Sequence, residues 1–308
     1  MRTSPRSPHA AARIALLAAI AASGASMADT PANAGMRFVD FSAQADDQHD
    51  LQAVTTLSLP VGEHAWVQAS GGKSRSEQAT GPRRPDILGL VVGAAGPAWQ
   101  FTLGATQRAD ANRFRQTDWA SALDWRHQGD ILGLDLTHRR SLASGTVDIT
   151  GALGASTAVP AQARIAGTGV GLHGTLAATE HLGVYAAVAR NHYTSSTQQA
   201  AATTGGPLAS NPLLASALLG GASVVDRDEV ALDRSALVGA SWRWSRTALS
   251  AEYATGRVHD NGGTLRSVAV KAAVDVAPGW RVTPGVGRGT SDQGGQATFA
   301  SLSVTYGW

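Results

Sequence analysis

Ten-residue segments that alternate apolar and polar residues run through most of this chain, and the last of them is the cleanest. Within Phe299 to Trp308, Ala300, Leu302, Val304, Tyr306 and Trp308 fall on one face. Ser301, Ser303, Thr305 and Gly307 fall on the other. Period two is the spacing of a β-strand. About ten residues in a tilted strand just cross a hydrocarbon layer of roughly 30 Å. A chain built from such segments must pair all its edges, because an unpaired backbone is not tolerated in lipid.

The same pattern recurs upstream. Leu51, Ala53, Thr55, Leu57 and Leu59 form one stripe. Leu88, Leu90 and Val92 form another, then Trp99, Phe101 and Leu103. Trp119, Leu123 and Trp125 oppose Asp124 and Arg126, and Leu132, Leu134 and Leu136 oppose Asp135 and Arg139. Val170 and Leu172 oppose His173; Val238, Trp242 and Trp244 oppose Arg243; Leu249 and Tyr253 oppose Glu252. Val268, Val270 and Val274 oppose Ser267, Lys271 and Asp275, while Trp280 and Val282 oppose Arg281. Charges in mid-strand suit a wet interior and would be costly in a dry sandwich core. Tryptophans near strand ends suit an interfacial girdle. Short turns at Pro60, Gly96, Glu180, Ser245 and Pro278 would lie at one end of the molecule. Longer links at Gly71 to Asp86, Tyr193 to Asp233, Gly256 to Thr264 and Thr290 to Gln296 would lie at the other.

The fold class predicted is all-β: a transmembrane antiparallel up-and-down β-barrel of about fourteen strands, with twelve and sixteen open. Gly35 to Gln44 supplies a weak first strand. The count is unsettled between Arg139 and Arg164, where the alternation fades. Residues 1–28 read as a signal peptide. Arg2, Arg6 and Arg13 precede the apolar run Ile14 to Ala22, and Ser26-Met27-Ala28 offers a cleavage site. Residues 29–308 then form one barrel domain with a long insertion over 194–233.

The termini and strand pattern resemble those of Gram-negative outer-membrane β-barrels, and Ser235 to Gly256 resembles a strand–turn–strand unit of porins. That resemblance implies an outer-membrane location, contact with outer-membrane lipid, and recognition by the barrel-assembly machinery. It implies that Leu302, Val304, Tyr306 and Trp308 carry the assembly signal. The chain is shorter than trimeric general porins and has no clear acidic constriction motif on an early loop. Its oligomeric state is therefore open. Nothing in it matches the plug of a TonB-dependent transporter.

Asp124, Arg126, Asp135, Arg139, Arg243, Glu252, Lys271, Asp275 and Arg281 are the expected lumen-facing charges. They would either set a transverse field across a pore or pair across strands as a salt-bridge ladder. The long insertion contains Leu213 and Leu214 and ends in Asp226, Arg227, Asp228 and Glu229. It would be a constriction loop folded into the lumen or an extracellular flap. The leading functional expectation is passive diffusion of small hydrophilic solutes. One alternative is a closed barrel whose loops bind an envelope or secretion partner. Another is a rim hydrolase built around His173 or His192; His259-Asp260 is a further pair, but no motif constrains its partner. The chain has no cysteine and no metal-ligand spacing, so no cofactor is expected. A net charge of +2 with scattered basic residues gives no case for nucleic acid.

Overall fold

The computed structural model describes residues 37–47, 49–76, 83–110, 114–150, 156–199, 232–259, 263–292 and 295–308. Over 144–150, 156–163 and 195–199 it describes the backbone alone. The proposed signal peptide lies outside these residues.

Fourteen antiparallel strands close into a barrel. They are β1 (Phe38–Asp46), β2 (Leu51–Val61), β3 (Ala65–Arg75), β4 (Asp86–Ala95) and β5 (Trp99–Asp110). Next come β6 (Phe114–His127), β7 (Asp130–Thr150), β8 (Ser156–Ala177), β9 (Leu182–Gln199) and β10 (Leu232–Trp244). The circuit ends with β11 (Thr247–Val258), β12 (Thr264–Ala277), β13 (Trp280–Ser291) and β14 (Gln296–Gly307). Every strand pairs with its sequence neighbours, and β14 pairs with β1 from Phe38↔Gly307 to Asp46↔Phe299. No free edge is left, which is the condition for crossing lipid with strands.

The region of uncertain strand count is a single tall hairpin. β7 and β8 have 21 and 22 residues and pair from Ile131↔Thr175 to Thr150↔Ser156. Beyond Arg139 the apolar alternation that marks strands elsewhere fades, while the ladder continues to Thr150↔Ser156. The same effect shortens two expected loops: β3 runs on to Arg75 and β9 to Gln199. The first strand begins at Phe38, three residues later than Gly35.

The five expected short turns lie at the end of the barrel where β1 begins and β14 finishes, with a sixth at 128–129. Gln128 and Gly129 have φ of 50° and 93°. Two successive positive φ values make a type I′ turn, whose twist matches that of the flanking strands. At the turn between β12 and β13, Gly279 has φ 77°, and a Cβ there would stand 2.4 Å from the Gly307 carbonyl oxygen.

The two faces differ as the alternation requires. Leu88 and Val286 are 63% and 61% exposed, while their chain neighbours Ile87 and Gly285 are buried. Exposed large apolar residues recur around the wall, from Phe41 on β1 to Leu302 on β14. Such a surface fits hydrocarbon rather than water. Trp99, Trp125, Trp242, Trp244, Trp280 and Trp308 form an outward girdle at the turn end. Trp280 and Tyr306 are 4.7 Å apart between ring centroids, and Tyr306 and Trp308 are 5.8 Å apart. Trp119 lies instead toward the loop end, paired with His138.

Candidate functional site

The inner wall of the barrel is the candidate site. All nine expected lumen charges occupy inner-face positions of the alternation: Asp124 lies between outward Leu123 and Trp125, and Glu252 between Ala251 and outward Tyr253. The register brings most of them together across strands.

Arg139 on β7 directly faces Asp118 on β6, with Nε 2.7 Å from Oδ1. Gln116 donates to the same carboxylate at 2.6 Å. On β11 and β12, Glu252 is almost fully buried. It accepts from Lys271 Nζ at 3.1 and 3.2 Å and from the Tyr185 hydroxyl at 2.8 Å. A buried carboxylate persists only when it is paired and hydrogen-bonded, and these donors provide both. At the turn end Arg281 Nε reaches Asp275 Oδ1 at 2.7 Å, with the Arg243 and Arg246 charges close by. Arg126 sits two residues from Asp124 on the same face of β6.

His173 on β8 lies between two of the expected residues. Its Nδ1 is 2.7 Å from Asp135 Oδ2, and its Nε2 is 3.1 Å from Asp124 Oδ1. Gly133 creates the space: a Cβ there would lie 2.2 Å from the imidazole ring. The ring therefore lies flat along the wall. Both of its nitrogens are engaged by carboxylates, which leaves neither to accept a proton from a serine hydroxyl. His192 points to the outer face, away from the lumen. His259 contacts Asp233 through Nδ1, and Asp260 lies outside the described residues. These three histidines therefore do not converge on one site.

Asp118, Asp40, Gln116 and Tyr185 also belong to the wall network, although none was among the expected site residues. Asp40 accepts from the Ser303 and Thr305 hydroxyls at 2.6 Å each. The alternation places Asp118 inward, beside outward Trp119, so that signal was present. The others depend on cross-strand register, which a single strand does not encode.

Part of the inner wall is not polar. Tyr185, Leu232, Leu237, Ala254, Val258 and Leu265 form a buried apolar cluster on β9 to β12, and Ala269 packs with Phe299 on β12 and β14. The lumen is thus polar along the charge pairs and apolar toward the loop end of these strands. Leu213, Leu214, Asp226, Arg227, Asp228 and Glu229 of the expected constriction loop lie outside the described residues.

Solved structures with a similar fold exist. The CymD monoaromatic hydrocarbon channel superposes with a TM-score of 0.53 at 8% identity, over 89% of this chain and 88% of its own. A Pseudomonas aeruginosa FadL homologue gives 0.51 at 10% identity, over 88% and 89%. This chain has the fold of an outer-membrane β-barrel. A mutant of the TodX monoaromatic hydrocarbon channel gives 0.51 at 11% identity, over 91% of each chain. At these identities the likeness concerns the barrel's architecture and not its cargo. No protein-family profile and no curated protein sequence matches the chain.

Proposed function

We propose that this barrel is a passive channel in the Gram-negative outer membrane for small hydrophilic solutes. The channels among its structural neighbours support a transport role for such a wall. The observation that carries the reading is how the wall is packed. Fourteen strands about 4.8 Å apart and tilted by about 40° make a backbone cylinder roughly 28 Å across. Large inner side chains lie along it rather than across it. His173 lies over Gly133, Tyr185 over Gly239, Phe299 over Gly287 and Trp66 over Gly93. Among the described residues, Arg139, Lys271 and Arg281 are each paired with a carboxylate on the neighbouring strand. Solutes would then be sorted by size and by the local dipoles of the Asp–His–Asp and Glu–Lys–Tyr groups.

Liposome swelling with neutral sugars of increasing size tests this. A size-dependent influx is the expected result. Sealed liposomes that contain correctly folded protein would overturn it. A second reading, a partner-binding barrel, draws on one feature: the β7–β8 hairpin stands well above the apolar band. In that reading the hairpin tip is a contact platform, and replacing 145–161 by a short turn would abolish partner capture while leaving the wall intact.

A further inference from the structure

The outer face of β9 to β13 carries a row of arginines where the apolar band ends. Arg190 on β9 directly faces Arg234 on β10, and Arg234 directly faces Arg257 on β11. Arg266 on β12 lies one diagonal step from Arg257, and Arg288 on β13 one step from Arg266. All five are exposed and share the outward face with Val188, Val238, Tyr253, Val268 and Val286. The row therefore lies at the loop-end border of the lipid-facing surface.

Directly opposed residues of an antiparallel pair have Cβ atoms about 4.5–5.5 Å apart, and like charges in that position repel. Here the repulsion occurs twice in succession. The described residues supply no relief. Arg190, Arg234, Arg257 and Arg266 have no ion-pair partner among them. The nearby carboxylates are engaged elsewhere: Asp233 with His259, and Asp292 with the Thr264 N–H at 2.9 Å. Arg288 donates to Gln296 at 2.5 Å. Glu252, the nearest mid-strand acid, faces the lumen and is held by Lys271.

Three guanidinium forks side by side, directly above an apolar wall, match a ligand with anionic oxygens and acyl chains. Arginine binds phosphate through paired, charge-assisted hydrogen bonds. The apolar residues below would meet the chains, while the long arginine side chains reach the headgroup level. We propose that Arg190, Arg234 and Arg257 form a binding site for the phosphorylated headgroup of an outer-leaflet glycolipid. The proposal rests on the outer-membrane reading but not on whether the bore conducts.

The test uses the full chain refolded in neutral detergent, titrated with diphosphorylated lipid A and followed by native mass spectrometry. Three further probes are the same lipid stripped of its phosphates, inorganic phosphate alone, and a soluble polyanion such as heparin. The expected result is saturable binding of the phosphorylated lipid, with no comparable binding of the other three. The triple variant R190Q/R234Q/R257Q should bind at least about tenfold more weakly. R234Q alone should weaken binding, yet should unfold in urea no earlier than the parent, because it removes both like-charge contacts. That second readout separates a ligand site from a structural role. Equal binding by parent and triple variant would overturn the proposal, as would equal binding of the dephosphorylated lipid. Preferential binding of heparin would assign the row to a soluble polyanion instead. Earlier unfolding of R234Q would show that the row is structural.

Discussion

At the residue scale, the wall is organised by small positions set beneath large ones. A Cβ at Gly133 would lie 2.2 Å from the His173 ring, and one at Gly239 would lie 2.3 Å from Tyr185. Neither ring can swing outward without losing its carboxylate, Asp124 and Asp135 in one case and Glu252 in the other. Gly133→Ala and Gly239→Ala should therefore each destabilise the barrel by about 1–3 kcal/mol. Gly71, with nothing within 4 Å of the added atom, should tolerate alanine within about 0.5 kcal/mol. Urea unfolding in lipid vesicles measures all three, and equal costs would show that the glycines do not set the packing. The inward charges were legible in the sequence, because period two alone assigns Asp124 or Lys271 to a face. Their partners were not. The choice between a transverse field and a pairing ladder depends on register, and register joins Arg139 to Asp118, Lys271 to Glu252 and Arg281 to Asp275.

At the scale of strands, lipid makes the outer face far more selective than the inner one. Val270 is 41% exposed in the middle of β12. Val270→Arg would place a charge against mid-bilayer hydrocarbon and should cost roughly 2–4 kcal/mol. The sequence alone would make Ser267 the lumen-facing control. The structure argues against it, because Ser267 is only 3% exposed and an arginine there would be overpacked. Gln68 on β3 faces inward with partial exposure and has a side chain nearer arginine in length. Gln68→Arg should change unfolding free energy by less than about 1 kcal/mol. Equal costs at Val270 and Gln68 would invert the faces assigned to these strands. Strand pattern was readable wherever the outer face met lipid. It failed over 140–163, where the apolar alternation fades although the β7–β8 ladder continues.

For the whole molecule, closure depends on β14, which pairs with β13 on one side and β1 on the other. The Trp308 N–H donates to the Arg37 carbonyl at 3.1 Å, so the last residue is also tied to the residue that precedes β1. Deleting Trp308 should lower the amount of heat-modifiable barrel recovered from the outer membrane. An unchanged yield would detach the C-terminal residue from assembly. The architecture was the most legible level of all, because fourteen amphipathic segments without a free edge leave a closed barrel as the one arrangement lipid accepts. The apolar patch of Leu237, Val258 and Leu265 inside the lumen was not legible, since inner-face apolar residues look like noise in an alternating pattern. The most direct test of the central claim is single-channel conductance of the refolded protein in a planar bilayer. Steady steps that persist across voltage are the predicted result. A silent bilayer containing correctly folded protein would contradict the account.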